Sequence, residues 1–182
     1  VEGTSDFAYL MLMTEILVGA GRIGLDERWS IIPVGGADLI PTFVALLGHH
    51  LDVTVLLDAR KEGNQRLENL VSAKFLAKNK LITIGDVTKT KAADIEDLFS
   101  PEDYLGLYNK AFNKSTKLSD LNGSDAIVAR IARLLGVPRF DHGKPADFFL
   151  RNREQVTHTL HPDSLDRFEE LFKRINSTLK PE

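Results

Sequence analysis

The 182-residue sequence contains no cysteine, so disulfides and thiolate metal sites are excluded. That absence is compatible with a cytoplasmic protein. No run of about 18 apolar residues occurs, so no stretch is expected to cross a bilayer as a helix, and no secretory leader is visible. A Walker A sequence is missing, which places any ATPase activity outside these residues. Gly19-Ala20-Gly21 follows a helical pattern rather than a strand, which excludes a dinucleotide loop there. The pairs His49/His50 and His158/His161 have no cysteine and no H-E-x-x-H pattern beside them, so zinc is not supported. A strong excess of one charge is also lacking. The net charge of −3 is less basic than that of most nucleic-acid-binding domains. Basic residues are nonetheless clustered, at Lys74, Lys78, Lys80, Lys89 and Lys91 and again at Arg130, Arg133, Arg139, Lys144, Arg151 and Arg153. Each cluster reads either as a solvated face or as a groove for phosphates.

What is present suits one globular domain. Hydrophobic residues make up 43% and charged residues 27% of the chain, enough to bury a core. The first half alternates in pattern. Helical spacing runs from Ser5 to Val18 and ends at Gly19 and Gly21. Ser30 to Val34 reads as a short strand, and Gly35-Gly36 as a tight turn. A helix is expected over 37–48, with Pro41 in its first turn. The run DVTVLLD, 52–58, is β-branched and apolar without alternation, the pattern of a strand buried on both faces of a parallel sheet. A third helix over 62–76 would turn Leu67, Leu70, Val71 and Phe75 inward, and LITI, 81–84, is a further strand. With a strand ending near Glu2, this order predicts an α/β fold: a mostly parallel four-stranded sheet flanked by helices.

The second half reads as helical. Ser100-Pro101-Glu102-Asp103 is a helix start, with a capping serine and proline at the first position. Lys114 to Gly123 is a polar loop. Ser124 is expected to cap a helix that buries Ile127, Ile131, Leu134 and Leu135 and stops at Gly136. Short and long helices follow near 144–151 and 162–179. The expected division is an α/β core over 1–92 and a helical subdomain over 93–182 that contributes to the site. The sequence opens with Val1, at the end of an apparent strand, and is expected to be part of a longer protein.

Three acids stand out. Ligands of open parallel sheets bind outside the carboxyl ends of the strands. Glu2 follows the first expected strand, Asp58 ends the third, and Asp6 lies one helical turn from Glu2. Such carboxylates raise one another's pKa unless a cation sits among them, and all-oxygen donors suit Mg²⁺ or Mn²⁺. The bland alternative is an N-terminal helix acid, an exposed glutamate and an unrelated strand-end aspartate.

V-E-G-x-S-D at a strand–helix junction, G-G at the next turn and L-L-D-A-R-K-E-G after a hydrophobic strand together resemble a Toprim domain. More narrowly, they resemble the C-terminal Toprim nuclease region of the OLD (overcoming lysogenization defect) family of ATP-dependent endonucleases. A-D-I-E-D-L-F at 93–99 and H-G-K-P-A-D-F-F-L at 142–150 are similar to later stretches of that family. The resemblance implies DNA cleavage with Mg²⁺ or Mn²⁺, up to two ions, for phage defence or DNA processing. It also implies an upstream ABC-type ATPase domain as partner and as the site of ATP, and it allows a homo-oligomer. Carried over, Glu2, Asp6 and Asp58 would bind the first metal, and Glu96 and Asp97 the second. Glu2 would also assist proton transfer. Lys144 would act on the scissile phosphate, and Arg60 and Lys61 would contact nucleic acid. Gly3 and Gly63 would admit close backbone approach.

One position departs from the family pattern: Arg60 stands where a second aspartate is expected. Arginine cannot ligate a cation. The substitution leaves three options: one metal with Arg60 on a phosphate, replacement of the missing acid by Glu62 or another carboxylate, or a non-catalytic module that binds nucleic acid or mediates assembly with the ATPase. A response-regulator-type domain with Asp58 as phospho-acceptor would also use clustered acids, but it leaves the helical half unexplained.

Overall fold

The computed structural model describes residues 1–48, 50–60 and 65–180. Lys61, Glu62, Gly63 and His49, and the side chain of Leu67, lie outside the described residues. The elements are α1 (Thr4–Gly19), α2 (Ile40–Leu47, entered through a 3-10 turn at Ala37–Leu39), β1 (Val55–Leu57), α3 (Gln65–Ser72), β2 (Leu81–Thr83) and α4 (Gly85–Thr88). A 3-10 turn at Ile95–Leu98 then leads to α5 (Pro101–Phe112), α6 (Ile127–Leu135), α7 (Gly143–Arg151), α8 (Arg153–Thr157) and α9 (Pro162–Asn176). The fold is mixed α/β, mostly helical, with a small parallel sheet of β1 and β2. Among the described residues no helix is long and apolar enough to cross a membrane.

The sheet follows from its residues. β1 and β2 pair in the register Val55–Leu81, Leu56–Ile82, Leu57–Thr83. Leu56 and Ile82 join the larger of two hydrophobic cores, whereas Val55 and Leu57 join the smaller one with Ile40, Val44 and Leu76. Burial on both faces is what the unbroken apolar run predicts.

The two other expected strands are not regular strands among the described residues. Instead, the Val1 nitrogen donates to the Ile32 carbonyl (3.0 Å) and the Val34 amide donates to the Val1 carbonyl (3.1 Å), the bond spacing of a parallel pair. Pro33, between the two bonded residues, has no N–H to extend the ladder. Just beyond, Gly35 and Gly36 take positive φ (86° and 134°), which side-chain-bearing residues rarely adopt. Their consecutive amides both donate to the Glu2 carbonyl, at 2.9 and 2.7 Å, and so fix the backbone of Glu2.

The larger core joins α1 to α5, α7 and α9. Tyr9, Leu10, Met13 and Leu17 of α1 are buried against Tyr104, Tyr108, Phe149, Phe168 and Phe172. Phe99, just after the 3-10 turn, stands among them, edge-on to Tyr9 (5.1 Å between centroids) and to Phe168 (4.9 Å). Such ring pairs contribute about 0.5–1.5 kcal/mol each beyond area burial. Arg167 of α9 stitches the turn further, donating to the carbonyls of Asp97 (3.0 Å) and Phe99 (3.2 Å).

Three local expectations need correction. Leu134 and Leu135 are exposed, because the last turn of α6 runs past the core before Gly136 ends it in left-handed conformation. Phe75 is 37% exposed, since α3 stops at Ser72. The start of α6 is not capped by Ser124. The Ile127 amide, the first of the helix, donates to Asp97 Oδ1 at 2.8 Å.

Candidate functional site: a carboxylate rim at the end of β1

The end of β1 delivers Asp58 to the edge of the sheet. Beyond it, Ala59 and Ala93 form an antiparallel contact, with amide-to-carbonyl distances of 2.8 and 3.2 Å. That contact lays residues 58–60 beside Asp94. Gly85 makes the close packing possible, because a Cβ there would lie 2.5 Å from the Thr90 carbonyl oxygen and 2.9 Å from the Ala59 Cβ. From the opposite side, the Asp58 amide donates to Glu2 Oε1 at 3.1 Å. Arg60 then bridges the two segments, with Nη2 donating to Asp58 Oδ2 (3.0 Å) and Nη1 to Asp94 Oδ1 (2.9 Å). A cavity of about 380 Å³ opens beside this rim, lined by Glu2, Asp58, Arg60, Thr83, Asp86 and Lys91 among others.

Electrostatics at the rim follow from crowding and burial. Burial, reinforced by the charges of Glu2, Asp94, Asp6 and Glu96, pushes the Asp58 carboxyl up to about 9. The single, largely exposed guanidinium of Arg60 does not cancel four acids and burial. Glu2 is raised chiefly by burial, with the Asp58 amide opposing the shift. Asp6 is raised for the same first reason, while the Gly3 amide, which donates to its Oδ2 at 2.9 Å, pulls the other way. Asp6 therefore belongs to the same electrostatic group but already serves the start of α1.

Glu96 and Asp97 have different surroundings. Glu96 is 1% exposed and accepts from His142 Nδ1 at 2.8 Å. The other ring nitrogen, Nε2, lies 3.0 Å from Arg139 Nη2. Guanidinium only donates, so the Arg139 contact is a hydrogen bond only to an Nε2 that carries no proton. Burial raises the Glu96 carboxyl, and the hydrogen bond to Glu96 raises the His142 ring. Tyr9 and Tyr104, both fully buried, feel the Glu96 charge more than any other, and their hydroxyls have no partner among the described residues. Asp97 uses both oxygens on backbone amides, Oδ2 on Asp94 and Oδ1 on Ile127, each at 2.8 Å. Asp97, expected as a metal ligand, is placed as a capping residue that takes one backbone amide on each oxygen.

Lys144 is also displaced from its expected place. Its ammonium lies over the Phe112 ring, 5.1 Å from the centroid, and the contact between its segment and the acids runs through His142. Lys61 lies outside the described residues. Several members of the basic clusters are paired with acids: Lys80 with Asp52, Arg133 with Asp125, Arg151 with Asp147 and Arg153 with Glu15. Sequence reasoning missed Asp94 and His142, although both fall inside the quoted stretches. A second cavity, of about 420 Å³, lies at the other end of β1 and is lined mainly by apolar side chains, including Val34, Ile40, Phe43 and Val55. The chemistry-bearing residues are at the rim.

The rim's fit to a hard cation is mixed. Its donors are carboxylate oxygens, as Mg²⁺ and Mn²⁺ prefer. Asp58 and Asp94 share one guanidinium, that of Arg60. Yet among the described residues no three histidine, aspartate or glutamate side chains are gathered tightly enough to hold one ion. No protein-family model, curated protein or solved structure matches the chain. The family expectation rests on the motifs themselves.

Proposed function

We propose that this chain is a metal-dependent DNA endonuclease region of the Toprim type, resembling those of the OLD family. In this reading it works in the cytoplasm beside an upstream ABC-type ATPase domain, in phage defence or DNA processing. The observation that carries the reading is the meeting of Glu2 and Asp58 at one rim, with Asp58 lifted to about 9 by burial and then by its acidic neighbours. The finer fold expected of such a domain would treat the Val1/Ile32–Val34 pair as its first two strands beside β1 and β2.

Glu2 and Asp58 would hold the ion, with Asp94 as the added acid in place of Asp97. Bound Mg²⁺ or Mn²⁺ would polarise the phosphodiester and activate water. The chain's own part is to fix these oxygens. The Gly35-Gly36 amides anchor Glu2, the Ala59–Ala93 contact anchors Asp58 and Asp94, and His142 holds Glu96 in one orientation. Glu2, half-buried and raised, is suited to take up a proton at the rim. The test is supercoiled plasmid with Mg²⁺ or Mn²⁺. Nicking by the native chain that Asp58→Ala abolishes is expected; equal nicking by both would refute the reading.

A second reading is favoured by one observation, the Arg60 bridge. A guanidinium fixed there permanently would leave a module that binds nucleic acid or mediates assembly without cutting. Retarded but intact plasmid in the same assay would select it.

A further inference from the structure

We propose that the apolar cavity at the start of β1 is a binding site for an uncharged, mainly hydrocarbon small molecule. The inference is independent of the metal-dependent reading above. Among the described residues this cavity shares no lining side chain with the cavity at the rim.

The cavity, of about 420 Å³, lies on the seam between the two hydrophobic cores. Leu10, Leu56 and Ile175 of the larger core form one part of its wall, and Ile40, Val44 and Val55 of the smaller core form another. Close-packed interiors hold few voids larger than a water molecule, so a space of this size among apolar side chains is an exception. Hydrogen bonds fix the walls around it. Val1 holds the segment 30–34 through the Ile32 carbonyl and the Val34 amide. The Thr178 hydroxyl donates to the Ile175 carbonyl at 2.8 Å, so its bond with Thr54, also 2.8 Å, is donated by Thr54. That bond ties the residues just after α9 to the approach to β1. A site whose walls are already fixed spends little binding energy on ordering itself.

Size and lining set the class of ligand. Small-molecule sites are concave, mostly apolar and about 300–1,000 Å³ in volume, and an apolar cavity of about 150 Å³ already holds benzene. The approach is apolar too: Ile32, Phe43 and Leu51, all on the wall, are 45%, 37% and 55% exposed. An apolar ligand would take their surface out of water. The charged wall residues Arg28 and Asp52 are each paired with an opposite charge, Arg28 with Asp26 at 2.9 Å and Asp52 with Lys80. A charged ligand would therefore lose hydration among these side chains without gaining an unpaired counter-ion. Ser30 and Thr54 add hydroxyls suited to a single neutral polar group.

Trp29, the single tryptophan of the chain, belongs to the wall, so its fluorescence reports occupancy. The experiment titrates the 182-residue chain with 1-decanol and, separately, with decanoate. Decanol should shift the Trp29 emission saturably and raise the thermal unfolding midpoint with occupancy. Decanoate should bind at least about tenfold more weakly. Val44→Phe, which fills the cavity, should weaken decanol binding about tenfold or more. Leu51→Glu, which puts a charge at an exposed wall position, should weaken it as well and serves if the phenylalanine variant fails to fold. No saturable shift in the native chain, or equal binding by the native chain and both variants, overturns the proposal. Decanoate binding as tight as that of decanol overturns the uncharged class. Trp29 emission that changes with protein concentration alone, with a dimer in sedimentation, assigns the cavity to a second copy of the chain and overturns the small-molecule site. None of these readouts involves metal or DNA, so the nuclease reading stands or falls separately.

Discussion

Asp94 and Asp97 sit three residues apart at one 3-10 turn, yet their carboxylates have opposite fates. Asp94 lies at the rim, where its carboxylate accepts from the Arg60 guanidinium. Asp97 points inward and meets two main-chain amides, its own turn's and that of α6, 30 residues on. Residue type is the same and local sequence nearly so. What differs is whether the partner can leave. An amide locked in a turn cannot, whereas a guanidinium on a flexible stem can. A carboxylate therefore becomes available for chemistry when its compensating charge is displaceable, and it becomes part of the scaffold when that compensation is backbone.

The strongest way to break this comparison is Asp97→Ala. Two amides would lose their acceptor and α6 its cap, at a cost of about 2–4 kcal/mol. Urea unfolding measures it, and Mn²⁺ uptake by the folded variant should stay as it was. A variant of native stability would mean that Asp97 is not a scaffold residue. A variant of native stability that binds Mn²⁺ less well would return it to the ligand set.

Next in size is Asp58→Asn, which sharpens the other side. The raised Asp58 carboxyl binds a proton in the folded state that the unfolded chain, with its ordinary value of 3.8, lacks between there and about 9. The contribution of this group to folding stability is therefore fully present below about 4 and falls as pH rises through that window. Replacing the acid by its neutral isostere should remove that slope. It should stabilise the chain by about 1–3 kcal/mol at pH 8 and by little at pH 4. Nicking should drop at least about a hundredfold. Denaturation at pH 4, 6 and 8 checks the sign; a native chain whose stability rises over that range would contradict the crowded rim.

Much of this was legible because it is local or periodic. Ser100 capping the Asp103 amide, Pro101 at the first helical position, the doubly buried β1 and the inward Phe168, Leu171, Phe172 and Ile175 of α9 all follow from short-range pattern. Glu2 and Asp58 were brought together by one rule about strand ends. The remainder depends on pairings that no local pattern encodes. Asp94 reaches the rim only through the isolated Ala59–Ala93 contact. Asp97 is diverted by a helix far along the chain. His142, the residue before α7, meets Glu96 from 46 positions away.

The smallest effect belongs to Lys144, and it tests whether the rim works without an ammonium. An exposed ammonium over a ring contributes about 0.5–1 kcal/mol, and Lys144→Ala should lose about that much in urea unfolding. Lys144→Met keeps the stem over Phe112 and should recover part of it. With its charge held over Phe112, neither variant should alter Mn²⁺ uptake, and nicking should fall less than about tenfold. A loss of a hundredfold or more in both variants, at native stability, would show that the ammonium leaves Phe112 for the phosphate. In that case Lys144 would act on the phosphate, and availability of the partner would govern this basic residue as it does the acids.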